Sequence, residues 1–441
     1  MVMHETAPPK QPKIARSLAD ASPEVHRAAT DLHHLTLGPG PALENEWIAA
    51  GLELPDVEAM RRYRIDRVRA QMQAMGYDGA LLMDPMNIRY ATDSTNMQIW
   101  VMHNAARYCW VGMDGSCIVW EFNECEFLDA HNPVVTETRP ATGTTYFQAG
   151  PRWAEMANRF ADEIIDVVNE HAGSHAKIAV DQCNLTAYQR FVEAGIEVGS
   201  GTEMMELARV IKGPDEIKAM RCAIHACETT MQEMREAMKP GMTEREVWSI
   251  LHAGNIRRAG EWIETQILAS GPRTNPWMQE ASSRIIEDRE LLGYDTDLVG
   301  AYGMMVDISR TWLVGGGSPS ATQASTHALA LEQIQRNTEM LRPGTTLRQL
   351  TFDSWSPPVD DYRRYCCQFH GVGQCDEYPD VYWPEQWEDW GYDGVLEPGM
   401  VLTVESFVGP RVGGEGVKLE NQVLVTESGP ELLTNIPLSL V

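Results

Sequence analysis

Nowhere does this chain run apolar for long enough to cross a bilayer, so no membrane-spanning helix is expected. Positive charge is also scarce. Lys and Arg number 36 against 63 Asp and Glu, a formal net charge of -27. That imbalance argues against nucleic acid or an anionic membrane as a partner, and it reads most simply as a solvated acidic surface. The nine cysteines are odd in number, include the neighbours Cys366 and Cys367, and never fall in a CxxC spacing. They read as reduced thiols and exclude a disulfide framework. The N-terminal string MVMHETAPPKQPKIARS lacks the apolar stretch of a secretory signal, so a cytoplasmic location is the expectation.

With 441 residues the chain can bury more than one core. Residues 1–55 carry Pro8, Pro9, Pro12 and the loop Leu37-Gly38-Pro39-Gly40-Pro41. They read as an extension with one short helix around residues 25–35, wrapping over a neighbour or fraying. Residues 56–203 read as an α/β unit. It has a helix over Arg61 to Met75, strands over Tyr108 to Val111, Cys117 to Trp120 and Lys177 to Val180, and a helix over Trp153 to His171. Residues 204–441 open on Gly213-Pro214-Asp215, where proline suits the first helical turn and the acids suit the helix dipole. Ile217, Met220, Ile224, Cys227, Met231 and Met234 then repeat at helical spacing and read as core. Lys239-Pro240-Gly241 ends that helix, and Glu244 with Glu246 supplies the capping acids of the next.

The last third holds a scattered set of acids with one histidine. Asp295 and Asp297 lie in GYDTDLVG, Asp307 in GMMVDISRTW, His370 in FHGVGQCDEYP, Glu405 in LEPGMVLTVES and Glu420 in GVKLENQVLV. Most of these strings read as strands. On a strand, residues two apart share a face, so Asp295 and Asp297 should project together, as should Met305, Asp307 and Ser309. Acids converging on one pocket repel unless a cation neutralises them. Oxygen ligands with a single imidazole suit Mn, Fe, Co or Zn better than an ion that prefers thiolates. The alternative of acids on solvated strand faces suits Glu405 and Glu420 poorly, because both sit inside apolar runs where an unpaired carboxylate is costly.

These strings resemble the metallopeptidase superfamily of methionine aminopeptidase, aminopeptidase P, prolidase and creatinase, whose members use Asp, Asp, His, Glu, Glu in that order. The run Ile308-Ser309-Arg310-Thr311 after Asp307 fits as well. The resemblance implies an α/β (α+β) chain, with a creatinase/prolidase-like domain over 56–203 and a pita-bread catalytic domain over 204–441. It also implies two metal ions held by Asp295, Asp297, Asp307, His370, Glu405 and Glu420, iron first and zinc next. A homodimer is expected on the same ground, the N-terminal domain of one subunit covering the other's cleft.

The chain departs from the peptidase pattern at the places that handle a peptide bond. Asp376 stands where a second histidine would follow the metal-binding one, and Trp277 and Met278 stand where another is expected after Ser-Gly-Pro. Phe369, Ser406 and Asn421 replace the usual neighbours of the ligands. A carboxylate substrate held at two cations gives up the proton on its adjacent carbon more readily, and a carboxylate base beside the metals could take it. Aromatic side chains could hold a cationic leaving group by cation-π contact; Tyr365, Trp100, Trp277, Tyr378 and Trp383 are candidates.

Taken together, the pattern resembles the dimethylsulfoniopropionate lyase branch of the superfamily, which cleaves a small zwitterionic sulfonium carboxylate to acrylate and dimethyl sulfide. Carried over by motif, the functional tyrosine and aspartate are Tyr365 and Asp376, and the N-terminal-domain tryptophan is Trp100. Each has a plainer alternative. Tyr365 could be a core tyrosine, Trp100 a structural one, and Asp376 a partner that orients His370 through its free ring nitrogen. An Xaa-Pro aminopeptidase or prolidase-like hydrolase and a non-catalytic binding protein are the competing functions. The lost histidines weigh against the first and the filled ligand positions against the second. His103, His225, His252 and His327 lie outside every ligand string.

Overall fold

The computed structural model describes residues 38–129 and 132–441, so the short helix expected around residues 25–35 lies outside the described residues. Two compact units divide the chain. One is Arg61–Ala208; the other is Arg209–Val441 together with the described residues up to Met60.

The first unit is built on a six-stranded mixed sheet of β1 (Gly79–Leu82), β2 (Tyr108–Gly112), β3 (Cys117–Glu121), β4 (Glu137–Pro140), β5 (Lys177–Val180) and β6 (Glu197–Ser200). Their order is β4-β3-β2-β1-β5-β6. β1, β2 and β3 pair antiparallel, while β4, β5 and β6 join parallel to their neighbours. The three strands expected from sequence are all present. β1, β2 and β3 are buried along their whole length, which marks a sheet covered on both faces. The helix Trp153–His171 lays Ala157, Phe160, Ala161, Ile164, Val167 and Val168 on one side as a single buried stripe, and each large apolar side chain there contributes roughly 1.5–3 kcal/mol.

In the second unit, sequence-coded caps set the helices. Pro214–Ala237 starts with Pro214 at its first turn. Glu244–Arg257, Ala321–Thr338 and Leu347–Asp353 each begin with a reciprocal capping box, made by Thr243 with Glu246, Ser320 with Gln323, and Thr346 with Gln349. Glu244 was expected to cap as well, and it does something else. Its fully buried carboxylate accepts from the backbone and hydroxyl of both Ser270 and Ser282 and pairs with Arg273. Within the stretch read as an extension that wraps or frays, the helix Gly40–Ala49 does not fray: Trp47 is fully buried in this unit's core, 5.9 Å from the Tyr302 ring.

Twelve strands complete this unit. β7 (Trp262–Ile263), β10 (Leu298–Val299) and β11 (Met305–Val306) form one small sheet, and β8 (Leu268–Ser270), β9 (Leu291–Asp295) and β12 (Ser309–Leu313) form another. The third sheet runs β15 (Asp376–Val381), β14 (Phe369–Val372), β16 (Val401–Pro410), β17 (Val417–Thr426) and β18 (Gly429–Leu432), with β13 (Tyr362–Arg363) pairing on β16. Its two ten-residue strands, β16 and β17, are buried at nine positions each. Seen along β17, Leu419, Val423 and Val425 join an apolar core. Lys418, Glu420 and Gln422 alternate with the odd-numbered positions and line the opposite face, equally dry.

Candidate metal centre

That dry polar face is where the acids meet. β16 and β17 pair antiparallel with Glu405 directly opposite Glu420, and both side chains are at most 1% exposed. Like charges at facing positions destabilise a sheet unless something of opposite sign lies between them. His370 enters from β14, where the register slips between His370 and Gly371; a bulge of this kind re-aims a side chain. Gly371 is required there, since a Cβ would come within 2.3 Å of the Tyr378 carbonyl oxygen. The imidazole Nε2 lies 3.4 Å from Asp307 Oδ2, 3.4 Å from Glu405 Oε1 and 3.8 Å from Glu420 Oε1.

The aspartates arrive less simply than the strand reading supposes. β9 ends at Asp295, and Asp297 stands beyond it in the two-residue link to β10 with φ 34°, where Thr265 donates to its Oδ2 at 2.5 Å. Asp307 falls in the break between β11 and β12, its backbone N–H donating to Gln422 Oε1. The two-residue alternation therefore corrects to two short irregular links, whose geometry no period-two pattern encodes. The outcome is nonetheless convergent. Ligand atoms of Asp307, His370 and Glu420 lie within 4.8 Å of one another, and so do those of Asp295, Asp297 and Asp307. Asp307 belongs to both groups.

Crowding in a water-poor space raises these carboxyls. Burial and the charge of Glu420 push Asp307 well above the usual range, and burial with Asp295 pushes Asp297 up to about 8. Burial works against the charge of His370, yet Glu405, Asp376 and Glu420 hold the imidazole up to about 10. Asp295 Oδ1, Asp307 Oδ1 and Glu420 Oε1 are buried with no hydrogen-bond partner among the described residues, a costly state for carboxylate oxygens. Orphaned oxygens grouped around one imidazole fit a divalent cation of the Mn, Fe, Co or Zn kind.

Sequence reasoning missed Lys418. Its ammonium is fully buried, in ion-pair contact with Asp295, Glu405 and Glu420, and the Tyr365 ring lies 4.4 Å below it. The signal was available: a lysine two positions before a candidate ligand glutamate, inside an apolar strand. Ser309 Oγ, which donates to Glu420 Oε2 at 2.8 Å, was legible in the same way.

Tyr365 is half-buried beside the centre. Burial and the neighbouring Glu405 raise its phenol, which keeps it protonated. It helps line a cavity of about 540 Å³ with Trp277, Trp383, Phe407, Arg364 and Cys366. Trp277 stacks on Phe407 at 5.9 Å, two residues along β16 from Glu405. Asp376 stands at the start of β15 with its Oδ1 3.5 Å from His370 Nδ1, on the opposite side of the ring from the other acids. Ser406 and Asn421 point away from the centre, Ser406 donating to Gln333 and Asn421 accepting from Arg310 and Thr434. Trp100 belongs to the first unit, on the short helix Gln98–His103, and packs against Phe122 and Phe147.

Comparison with known proteins agrees with this architecture. Residues 64–211 match the creatinase/prolidase N-terminal domain and residues 218–427 match metallopeptidase family M24. An Xaa-Pro dipeptidase from Bacillus anthracis superposes with a TM-score of 0.69 over 86% of this chain and 99% of its own, at 24% identity, a likeness of fold. Two relatives are far more similar in sequence. A dimethylsulfoniopropionate lyase DddP from Roseovarius nubinhibens is 45% identical over 97% of this chain and 96% of its own length. A second, from Roseobacter denitrificans, is 42% identical over 97% and 95%. Fold and centre thus define a creatinase-type member of the M24 superfamily, a metal-dependent fold. Within it, the chain belongs to the DddP family of dimethylsulfoniopropionate lyases.

Proposed function

We propose that this chain is a carbon-sulfur lyase that cleaves dimethylsulfoniopropionate into acrylate and dimethyl sulfide by β-elimination, with residues 204–441 carrying the chemistry. Near-full-length identity to two such lyases carries this reading. Two metal ions, iron first and zinc next, would be held by Asp295, Asp297, Asp307, His370, Glu405 and Glu420. Bound there, they supply Lewis acidity that makes the proton next to a coordinated carboxylate easier to remove. Asp376 takes that proton. The C–H electron pair forms the double bond, the C–S bond breaks, and sulfur leaves with its electrons as neutral dimethyl sulfide. Tyr365 offers an aromatic face to the sulfonium, an attraction worth about 0.5–2 kcal/mol. One face of its ring already carries the Lys418 ammonium, so the substrate would use the other. Trp100 is the N-terminal-domain candidate for the same contact.

The direct assay offers purified protein dimethylsulfoniopropionate and, separately, an Xaa-Pro dipeptide. Dimethyl sulfide from the first and no free amino acid from the second is the expected result. The reverse outcome would assign the chain to the peptidases, and silence in both would leave a binding protein.

The first unit also bears on assembly. Ile99, Met102 and Phe147 are 57%, 45% and 75% exposed around Trp100, an apolar grouping that commonly marks a contact surface. A homodimer burying it is the expected state. Light scattering should give twice the chain mass for the wild type and the chain mass for Ile99→Glu/Phe147→Glu. A fully active wild-type monomer at low concentration would count against it.

A further inference from the structure

The cavity beside Tyr365 has an aromatic wall, set in place by the same strands that bring the acids together. Phe407 lies two residues past Glu405 on β16 and directly opposite Lys418 on β17, so its ring shares the face of Glu405 and Glu420. Trp277 stacks on it with ring centres 5.9 Å apart and planes 28° from parallel. Glycines clear the room for both rings. A Cβ at Gly293, two residues before Asp295 on β9, would come within 2.9 Å of the indole, and a Cβ at Gly416 or Gly409 would come within 2.5 Å or 2.8 Å of the Phe407 ring. Two strand residues span roughly 6.6 Å, which is on the scale of a carboxylate held at the acids with two methylenes and a sulfonium beyond it.

The rings of this cavity are not equivalent. Trp383 carries the Arg364 guanidinium at 4.0 Å, and Tyr365 carries the Lys418 ammonium at 4.4 Å. Trp277 and Phe407 carry no cation among the described residues. Trp383 also donates from its Nε1 to the Tyr365 carbonyl, as a buried tryptophan normally does. Trp277 is only 8% exposed, yet its Nε1 is buried without a hydrogen-bond partner among the described residues. Hydrogen bonding therefore does not account for an indole at this position.

We propose that Trp277 and Phe407 are the specificity-determining pair of this cavity: their wall receives the S-methyl groups of the sulfonium and sets dimethyl as the size that fits. The inference rests on the lyase reading and deepens it. Methyl groups on a positive sulfur share its charge, so a π surface that carries no cation of its own attracts them, while its stacked rings, held in glycine slots, limit their bulk. A wall of this kind changes the ratio between substrates of different size. A tryptophan that only supports the fold lowers turnover of all of them by one factor.

The test offers the full-length chain, with equal metal content checked by elemental analysis, dimethylsulfoniopropionate and its diethyl analogue, and follows release of dimethyl or diethyl sulfide. One methylene in an apolar pocket is worth about 10–200-fold in discrimination. The wild type is therefore expected to favour the dimethyl substrate by at least about 10-fold in kcat/KM, and Trp277→Ala to move that ratio toward the diethyl substrate by a similar factor. Trp277→Phe, which keeps a smaller ring, should fall between them. Phe407→Leu should move the ratio in the same direction as Trp277→Ala, and it decides the matter if Trp277→Ala does not fold. An unchanged ratio in the folded variants overturns the proposal, and loss of fold in both overturns it too, leaving a purely structural pair. A wild-type chain that releases neither sulfide sinks the lyase reading and this proposal with it, whereas a working lyase with an unchanged ratio sinks the proposal alone.

Discussion

Alanine at Glu420 is expected to abolish turnover and remove most of the bound metal. Glu420 is 0% exposed and faces Glu405 across the β16–β17 ladder. Its Oε2 is held by Lys418 and Ser309, which leaves Oε1 as the oxygen free to ligate. Losing a group that merely supports a ligand costs about 10–100-fold in affinity or activity, so losing the ligand itself should cost more. The variant also removes one of two facing carboxylates. Its metal-free form should therefore keep most of the wild-type stability, while the gain in melting temperature on adding Zn²⁺ disappears. Asp307→Ala, His370→Ala and Glu405→Ala are expected to behave alike, because each has an oxygen or nitrogen in the same cluster. Elemental analysis beside a dimethyl sulfide assay decides each case. Full metal occupancy with normal turnover would remove that residue from the centre.

The candidate ligands stood out in the sequence because each sits in a short string whose chemistry is local, such as an acid inside an apolar strand or a histidine beside glycines. Helix starts were legible for the same reason, since a capping box is complete within four residues. What escaped is what depends on the third dimension. Asp297 and Asp307 stand in short irregular links between strands, and the pleat rule that puts residues two apart on one face does not apply there. Glu244 looks like a first-turn acid and is drawn inward because Ser270, Ser282 and Arg273 supply donors from distant segments. Lys418 is hidden by habit more than by physics: lysine is almost never fully buried unless paired, and its three partners lie 2, 13 and 123 positions away along the chain. Trp47 sits in a proline- and glycine-rich stretch that reads as an extension, yet one tryptophan carries enough apolar area to bring that helix into the core.

The second large effect is expected at Asp376, proposed as the base that takes the proton beside the substrate carboxylate. Its side chain is 62% exposed, so a substrate can reach it, and it stands 3.5 Å from the ring of a candidate metal ligand. The rival role is to orient His370. That task has another performer, since the Gly371 carbonyl lies 3.1 Å from the same Nδ1. Asparagine separates the two roles. Asp376→Asn keeps an oxygen that can accept from Nδ1–H, so a purely orienting residue would lose little, whereas a base would lose the charged carboxylate that binds the proton. Turnover should fall on the order of 10²-fold or more, the usual scale for removing a general base, with metal content, melting temperature and KM close to wild type. Tyr365 is a poor substitute, because burial and Glu405 keep its phenol protonated. Near-normal turnover in Asp376→Asn with metal in place would return Asp376 to the orienting role, and the base would have to be sought among the carboxylates of the centre itself.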